Sequence, residues 1–116
     1  MDFLEAIQPV VTDMAATQRR FMNNISLWQR FAMKFPGDPT YAELLEALKA
    51  GDEERIIRAA HTLKGTAANL GFDPLSQAAS QMVEHGRGGQ SEQFPEDIKS
   101  IQREYDRVVA AIRQVE

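Results

Sequence analysis

The chain has 116 residues, of which 43% are hydrophobic and 26% charged, with a net charge of −4 and no cysteine. This length supports one domain with a single continuous core. The acidic balance excludes a general nucleic-acid-binding protein, which needs clustered basic charge, and the lack of cysteine excludes disulfides and thiolate metal sites.

Helical periodicity runs through the sequence, whereas the alternating pattern of β-strands is absent. Apolar residues from Phe3 to Met14 predict a first helix, with Pro9 as a break or kink. A second apolar stripe ends at Pro36 and Gly37. Its members are Phe21, Ile25, Trp28, Phe31, Ala32 and Phe35. Aromatic residues at this spacing are typical of a core, so the stripe is predicted to be buried.

Four further helices are predicted between cap and breaker residues, over about residues 38–51, 52–71, 73–85 and 95–115. Asp52 is a predicted N-cap, and Gly51 and Gly71 are predicted helix ends. Three glycines within 86–91 predict a surface loop. Together these elements predict an all-α fold, a four-helix bundle with an up-down antiparallel core and one or two additional short N-terminal helices.

One face of the helix predicted over 52–71 has an unusual composition. Residues three and four apart share a helix face. This spacing assigns the apolar residues to one buried side and puts His61, Lys64, Gly65 and Ala68 together on an adjoining face. The buried side contains Ile56, Ala60, Leu63, Ala67 and Leu70. A glycine inside a helix costs roughly 1 kcal/mol relative to alanine. This face therefore presents an imidazole and a cation beside a surface almost free of side chains.

Such a face fits phosphoryl transfer with a docked protein. A neutral imidazole can attack a phosphoryl group and carry it covalently. Lys64 could neutralise the phosphoryl oxygens, while Gly65 and Ala68 leave a partner access to the ring. Simpler explanations stay open at this point, because His61 could be a tolerated surface residue, Lys64 a solubilising charge, and Gly65 a site of close helix packing.

The stretch from Ala60 to Gly71, AHTLKGTAANLG, resembles the signature of histidine-containing phosphotransfer (HPt) domains. The resemblance extends over about residues 21–115 of what we expect to be one domain, 1–116. It implies a phosphorelay carrier that accepts a phosphoryl group on His61 from a receiver-domain aspartate and passes it to another receiver. Lys64 would steady the phosphoryl group and Gly65 would leave room for the partner. The resemblance also implies no ATP binding, no independent catalytic activity, and a magnesium ion bound by the receiver.

Further site residues follow from the same resemblance. Many family members carry a Glu or Gln near the phosphorylated ring, at the position of Val83 in this chain. Glu84 and Gln81 lie close by in the sequence, and are therefore candidates for orienting the His61 ring. Gly65, Ala68 and Arg58 are predicted to contact the docked partner, although Arg58 could equally pair with Glu53 or Glu54.

The expected partners are receiver domains of response regulators or hybrid histidine kinases. We expect no cofactor, bound metal or nucleic acid, and a monomer, since a relay through receivers needs the His61 face free. We expect a cytoplasmic protein without membrane contact, because no apolar run approaches the roughly 20 residues that cross a bilayer and the N-terminus lacks a secretory pattern. His85 is expected to interact only with the dipole at a helix end.

The alternative function is a phosphate-independent helical adaptor that binds a receiver or kinase through the same face. The phosphoacceptor domain of a chemotaxis-type kinase is a weaker alternative, since neither a kinase nor a dimerisation domain follows.

Overall fold

The computed structural model describes residues 1–116, and its fold is all-α, as predicted. The helices are α1 (Phe3–Ile7), α2 (Met14–Arg20), α3 (Ile25–Lys34), α4 (Thr40–Ala50), α5 (Glu53–Asn69), α6 (Asp73–Arg87) and α7 (Phe94–Arg113). Single 3-10 turns lie at Gln8–Val10, Phe35–Gly37 and Ser91–Gln93. None of the helices combines the length and apolar character needed to cross a bilayer.

Helices α4 to α7 form the predicted four-helix bundle. Helix α5 packs against α4 and α6, and α6 packs in turn against α7. Short connections enforce this arrangement. Gly51 ends α4 in the left-handed conformation at φ 67°, and the Asp52 carboxylate accepts a hydrogen bond from the backbone N–H of Arg55 at the start of α5. The most deeply buried aliphatic side chains of the bundle are Leu44, Leu63, Leu75, Met82, Ile101 and Val108.

The N-terminal part divides into three short helices, whereas one or two were predicted. The Asp13 carboxylate caps α2 through the N–H of Ala16, and the chain then reverses at Met22 and Asn23, both at positive φ. Asn24 caps α3 through the N–H of Leu27. Phe21 therefore precedes α3, because these local side-chain caps outweigh the apolar spacing that suggested one continuous helix.

The aromatic stripe is buried only in part. Phe21, Trp28, Ala32 and Phe35 are buried as predicted, but Phe31 is 46% and Ile25 36% exposed. The prediction of burial was therefore wrong for these two residues. Ile25 begins α3 directly after the reversal of the chain, whereas the predicted helix had it in the interior. Phe31 lies at the edge of the cluster, with its ring 6.2 Å from that of Phe21.

The N-terminal helices are fastened to the C-terminal end of α5. The Arg20 guanidinium donates hydrogen bonds to the carbonyl oxygens of Ala68 and Asn69, each at 3.1 Å. The indole N–H of Trp28 donates to the carbonyl of Leu70 at 2.9 Å. The carbonyl of Ala68 also accepts from the backbone N–H of Gly71, whereas Asn69 and Leu70 lie at the helix end, where carbonyls lack intrahelical donors. The Arg20 charge complements the negative end of the helix dipole. The end of α5 is thereby fixed in place.

Replacing Gly71 with Ala is expected to destabilise the fold by about 2–4 kcal/mol, since strain and overpacking act together. Gly71 has φ 87°, and an added Cβ would lie 2.6 Å from the Thr17 hydroxyl oxygen. Urea unfolding should show the lowered midpoint. Gly37 has open space around it and no positive φ, so Gly37→Ala should leave the midpoint nearly unchanged. Equal midpoints for the two variants would contradict this account.

Alkaline pH is expected to weaken the fold through Tyr41 and Tyr105, whose rings stack at 3.9 Å. Burial raises the pKa of both phenols, with smaller contributions from Asp106 for Tyr41 and from Asp38 for Tyr105. The unfolded chain therefore loses these protons first, so the stabilisation is present below pH 10.0 and is lost as pH rises further. The free energy of unfolding, measured by urea from pH 8 to 11, should decline less steeply in Tyr105→Phe. The same decline with pH in wild type and in Tyr105→Phe would contradict a contribution of the Tyr105 phenol to stability.

Candidate functional site

His61 lies in the middle of α5 with its side chain exposed. Ala60 and Leu63 beside it are buried in the core, as the helical spacing predicted. The ring of the other histidine, His85, is bonded to a carboxylate, but the His61 ring has no hydrogen-bond or ion-pair partner in the chain. Its nitrogens are therefore free to react with, or bind to, another molecule.

The helix surface one turn beyond His61 is bare. Gly65 is exposed, and a Cβ built on it would meet no atom within 4 Å. Close helix packing, the alternative explanation for this glycine, is therefore wrong. Ala68, another turn along, is half-buried and adds only a methyl group. No contact inside the molecule accounts for the roughly 1 kcal/mol that a helical glycine costs.

Close packing of α5 and α6 is provided instead by Gly86. A Cβ on Gly86 would lie 2.5 Å from a side-chain carbon of Ile57, so only glycine fits there without a shift. At the other end of the same pair of helices, the Ser76 hydroxyl donates a hydrogen bond to the carbonyl of Lys64 at 3.0 Å. These two contacts set the register of α6 along the helix that carries His61.

Two of the predicted cations lie on α5 with His61. Lys64 is half-buried and forms no ion pair, so its charge is available on the His61 face. Arg58 is exposed and lies 3.6 Å from the Glu54 carboxylate, one of the two pairings that the sequence left open. An exposed pair of this kind contributes little stability and is easily exchanged for another partner.

Arg87 is a third cation at the site, and sequence reasoning missed it. The sequence suggested a surface loop at this point, but α6 continues to Arg87. Because α6 runs antiparallel to α5, its last turn lies beside the first part of α5. A depression of about 300 Å³ beside the ring is lined by Glu54, Ile57, Arg58, His61 and Arg87. Arg87 forms no ion pair.

The two candidates for orienting the ring make no contact of that kind in this structure. Gln81 and Glu84 are both exposed on α6, and neither hydrogen-bonds His61. Val83, at the position where many family members carry Glu or Gln, is buried in the core. Orientation of the ring by Gln81 or Glu84 therefore stays a prediction.

His85 has a specific partner that the sequence did not reveal. Its Nδ1 atom lies 2.9 and 3.0 Å from the two carboxylate oxygens of Asp97, whose side chain is only 6% exposed. His85 belongs to the last turn of α6 and Asp97 to the first turn of α7. The chain contains no group of three or more His, Cys, Asp or Glu side chains placed to hold a metal ion.

Comparison with protein families adds an independent finding. The family model described as "Hpt domain" matches residues 37–111, a region that includes α4, α5, α6 and most of α7. Comparison with curated proteins and with solved structures gave no significant match. Hpt domains are phosphocarriers of phosphorelays and interact with receiver domains. With the match covering more than half of its length, this chain belongs to the Hpt domain family.

Proposed function

We propose that this chain is a phosphorelay carrier in which His61 accepts a phosphoryl group from an aspartate of one receiver domain and passes it to another. The observation that carries the proposal is the combination of an exposed His61 ring without an internal partner and a bare helix surface at Gly65. Family membership supports the same class of function.

The chemistry requires a nitrogen lone pair in line with the phosphorus atom. We infer that Nε2 attacks, since it is the ring nitrogen farther from the backbone. The P–N bond forms while the P–O bond to the receiver aspartate breaks, and the carboxylate leaves with its electron pair. The ring carries a positive charge until Nδ1 releases its proton. In the second transfer, the aspartate of another receiver forms the new P–O bond while the P–N bond breaks, and Nδ1 regains its proton so that the ring leaves as neutral imidazole.

Cations around His61 would serve this step mainly through electrostatics. Phosphoryl transfer depends on placement and on neutralising the charge of the equatorial oxygens. Lys64 is one turn from His61 on the same helix and is free of ion pairs, so it is the first candidate for this role. Arg87 reaches the same depression from α6, and Arg58 could exchange Glu54 for an acidic group of the receiver. The receiver would supply the magnesium ion.

The test is phosphoryl transfer from a panel of phosphorylated receiver domains, followed by the intact mass of this chain. We expect one added phosphoryl group that is lost in acid and retained in base, which is the behaviour of a phosphoramidate. Binding to a receiver without any transfer would favour the phosphate-independent adaptor instead. Neither transfer nor binding to any receiver would contradict both functions.

A further inference from the structure

The last turn of α6 is held from two sides. Residues two apart point to nearly opposite sides of a helix, so His85 faces α7 while Arg87 faces α5. On the α7 side, His85 Nδ1 is bonded to Asp97 at 2.9 Å. On the α5 side, Gly86 lies directly against Ile57, and Arg87 lines the depression at His61.

Asp97 depends on His85 for its partner. The carboxylate is 6% exposed, and the His85 ring is the only side chain that hydrogen-bonds it. A buried carboxylate without a donor is strongly unfavourable. The pair also joins two helix ends, because the His85 ring lies in the last turn of α6 and the Asp97 carboxylate complements the dipole at the N-terminal end of α7.

Stability alone does not explain such a pair, since apolar residues of similar volume often stabilise a fold equally well. A hydrogen bond from Nδ1 shared by both carboxylate oxygens adds direction, because it restricts the rotation of the α6 end. Helix ends otherwise fray, and Arg87 is the last residue of α6. The position of Arg87, which lines the same depression as His61, therefore depends on this end of α6.

We propose that His85 and Asp97 form a positioning pair for the phosphoryl-transfer site: by fixing the last turn of α6 against α7, they hold Arg87 at the depression that it lines together with His61. Neither residue touches the phosphoryl group, and each acts through Arg87. This assignment rests on the proposed function of His61 as the phosphoryl acceptor.

The test is a double-mutant cycle with four proteins: wild type, Arg87→Ala, His85→Leu/Asp97→Leu, and the combination of all three substitutions. The leucine pair fills the space and removes the directional bond. Single-turnover transfer from a phosphorylated receiver should fall roughly tenfold in Arg87→Ala, which corresponds to about 1.4 kcal/mol. The leucine pair should cause a similar fall, and the combination should be no slower than Arg87→Ala alone.

Two results would overturn the proposal. One is wild-type transfer in the leucine-pair variant. The other is a full additional fall when Arg87→Ala is added to that variant, which would mean that the two sites act independently. Arg107→Ala is the control, because it removes hydrogen bonds at a position away from His61. The Arg107 guanidinium donates to the Glu104 carboxylate at 2.8 Å and to the Pro9 carbonyl at 2.9 Å, and its helix α7 packs against α6 and α1. Its transfer rate should stay within about twofold of wild type.

A second measurement on the same four proteins needs no phosphoryl group. The proton and carbon NMR signals of the His61 ring report whether Arg87 lies beside it. Arg87→Ala should shift these signals in the wild-type background and leave them unchanged in the leucine-pair background. Equal shifts in both backgrounds would overturn the positioning role. If wild type accepts no phosphoryl group, the proposed function fails, and the NMR comparison still decides the role of the pair.

Discussion

Replacing His61 with Gln is expected to abolish phosphoryl acceptance while leaving the fold and receiver binding intact. The amide has no nitrogen lone pair able to attack phosphorus, so transfer should fall below about one thousandth of the wild-type rate. The His61 side chain is exposed and unbonded. Its loss should therefore change the free energy of unfolding, measured by urea, by no more than about 0.5 kcal/mol. Intact mass and acid lability provide the measurement.

The matched control is the same substitution at the second histidine. His85 is 28% exposed, and its Nδ1 is occupied by Asp97, so His85→Gln should slow transfer without eliminating it. Receiver binding, measured by calorimetry, should be retained in His61→Gln. An acid-labile phosphoryl group on His61→Gln would mean that His61 is not the acceptor.

Substitutions of Gly65 are expected to move stability and function in opposite directions. Because a Cβ there meets no atom, Gly65→Ala should raise stability by about 0.5–1 kcal/mol through helix propensity alone. Gly65→Leu should likewise fold at least as well as wild type. Its side chain, however, would occupy the surface beside His61 and hold the receiver away from the ring. We expect a loss of roughly 100-fold in transfer, since misplacement by about 1 Å is enough for that.

The measurements are urea unfolding and single-turnover transfer on the same preparations. The control variant is Ala50→Leu, which adds a leucine side chain at an exposed position at the end of α4. This helix already carries an exposed leucine, Leu45. Ala50→Leu should leave transfer unchanged, which controls for added surface hydrophobicity. Unimpaired transfer by Gly65→Leu would refute the role of the bare surface in docking.

The face around His61 was predictable because it depends on one helix. Spacing by three and four residues placed Leu63 in the core and His61 outside it, and both assignments are confirmed. The cost of a helical glycine pointed to Gly65. The sequence alone could not tell that Gly86 serves helix packing and Gly65 does not, since that depends on which residues of the neighbouring helix lie opposite.

The remaining features depend on how distant segments meet. Arg87 became part of the site only because α6 continues through a glycine-rich stretch and lies antiparallel to α5. The bond between His85 and Asp97 requires the turn between α6 and α7 to bring two helix ends together. In the N-terminal part, the caps from Asp13 and Asn24 outweighed apolar periodicity. Each is a tertiary or capping effect that a periodicity argument does not contain.

The hydrogen bonds from α2 and α3 to the end of α5 determine how far the chain can be shortened without disturbing the helix that carries His61. The family match begins at residue 37, but Arg20 and Trp28 bond the carbonyls of Ala68, Asn69 and Leu70 from outside that region. A chain shortened to the matched residues would leave the carbonyls of Asn69 and Leu70 to water and would uncover Phe72, which packs on Phe35 at 5.5 Å. The boundary that sequence similarity draws therefore cuts through hydrogen-bonded and packed structure. Excision there would loosen the helix that carries His61.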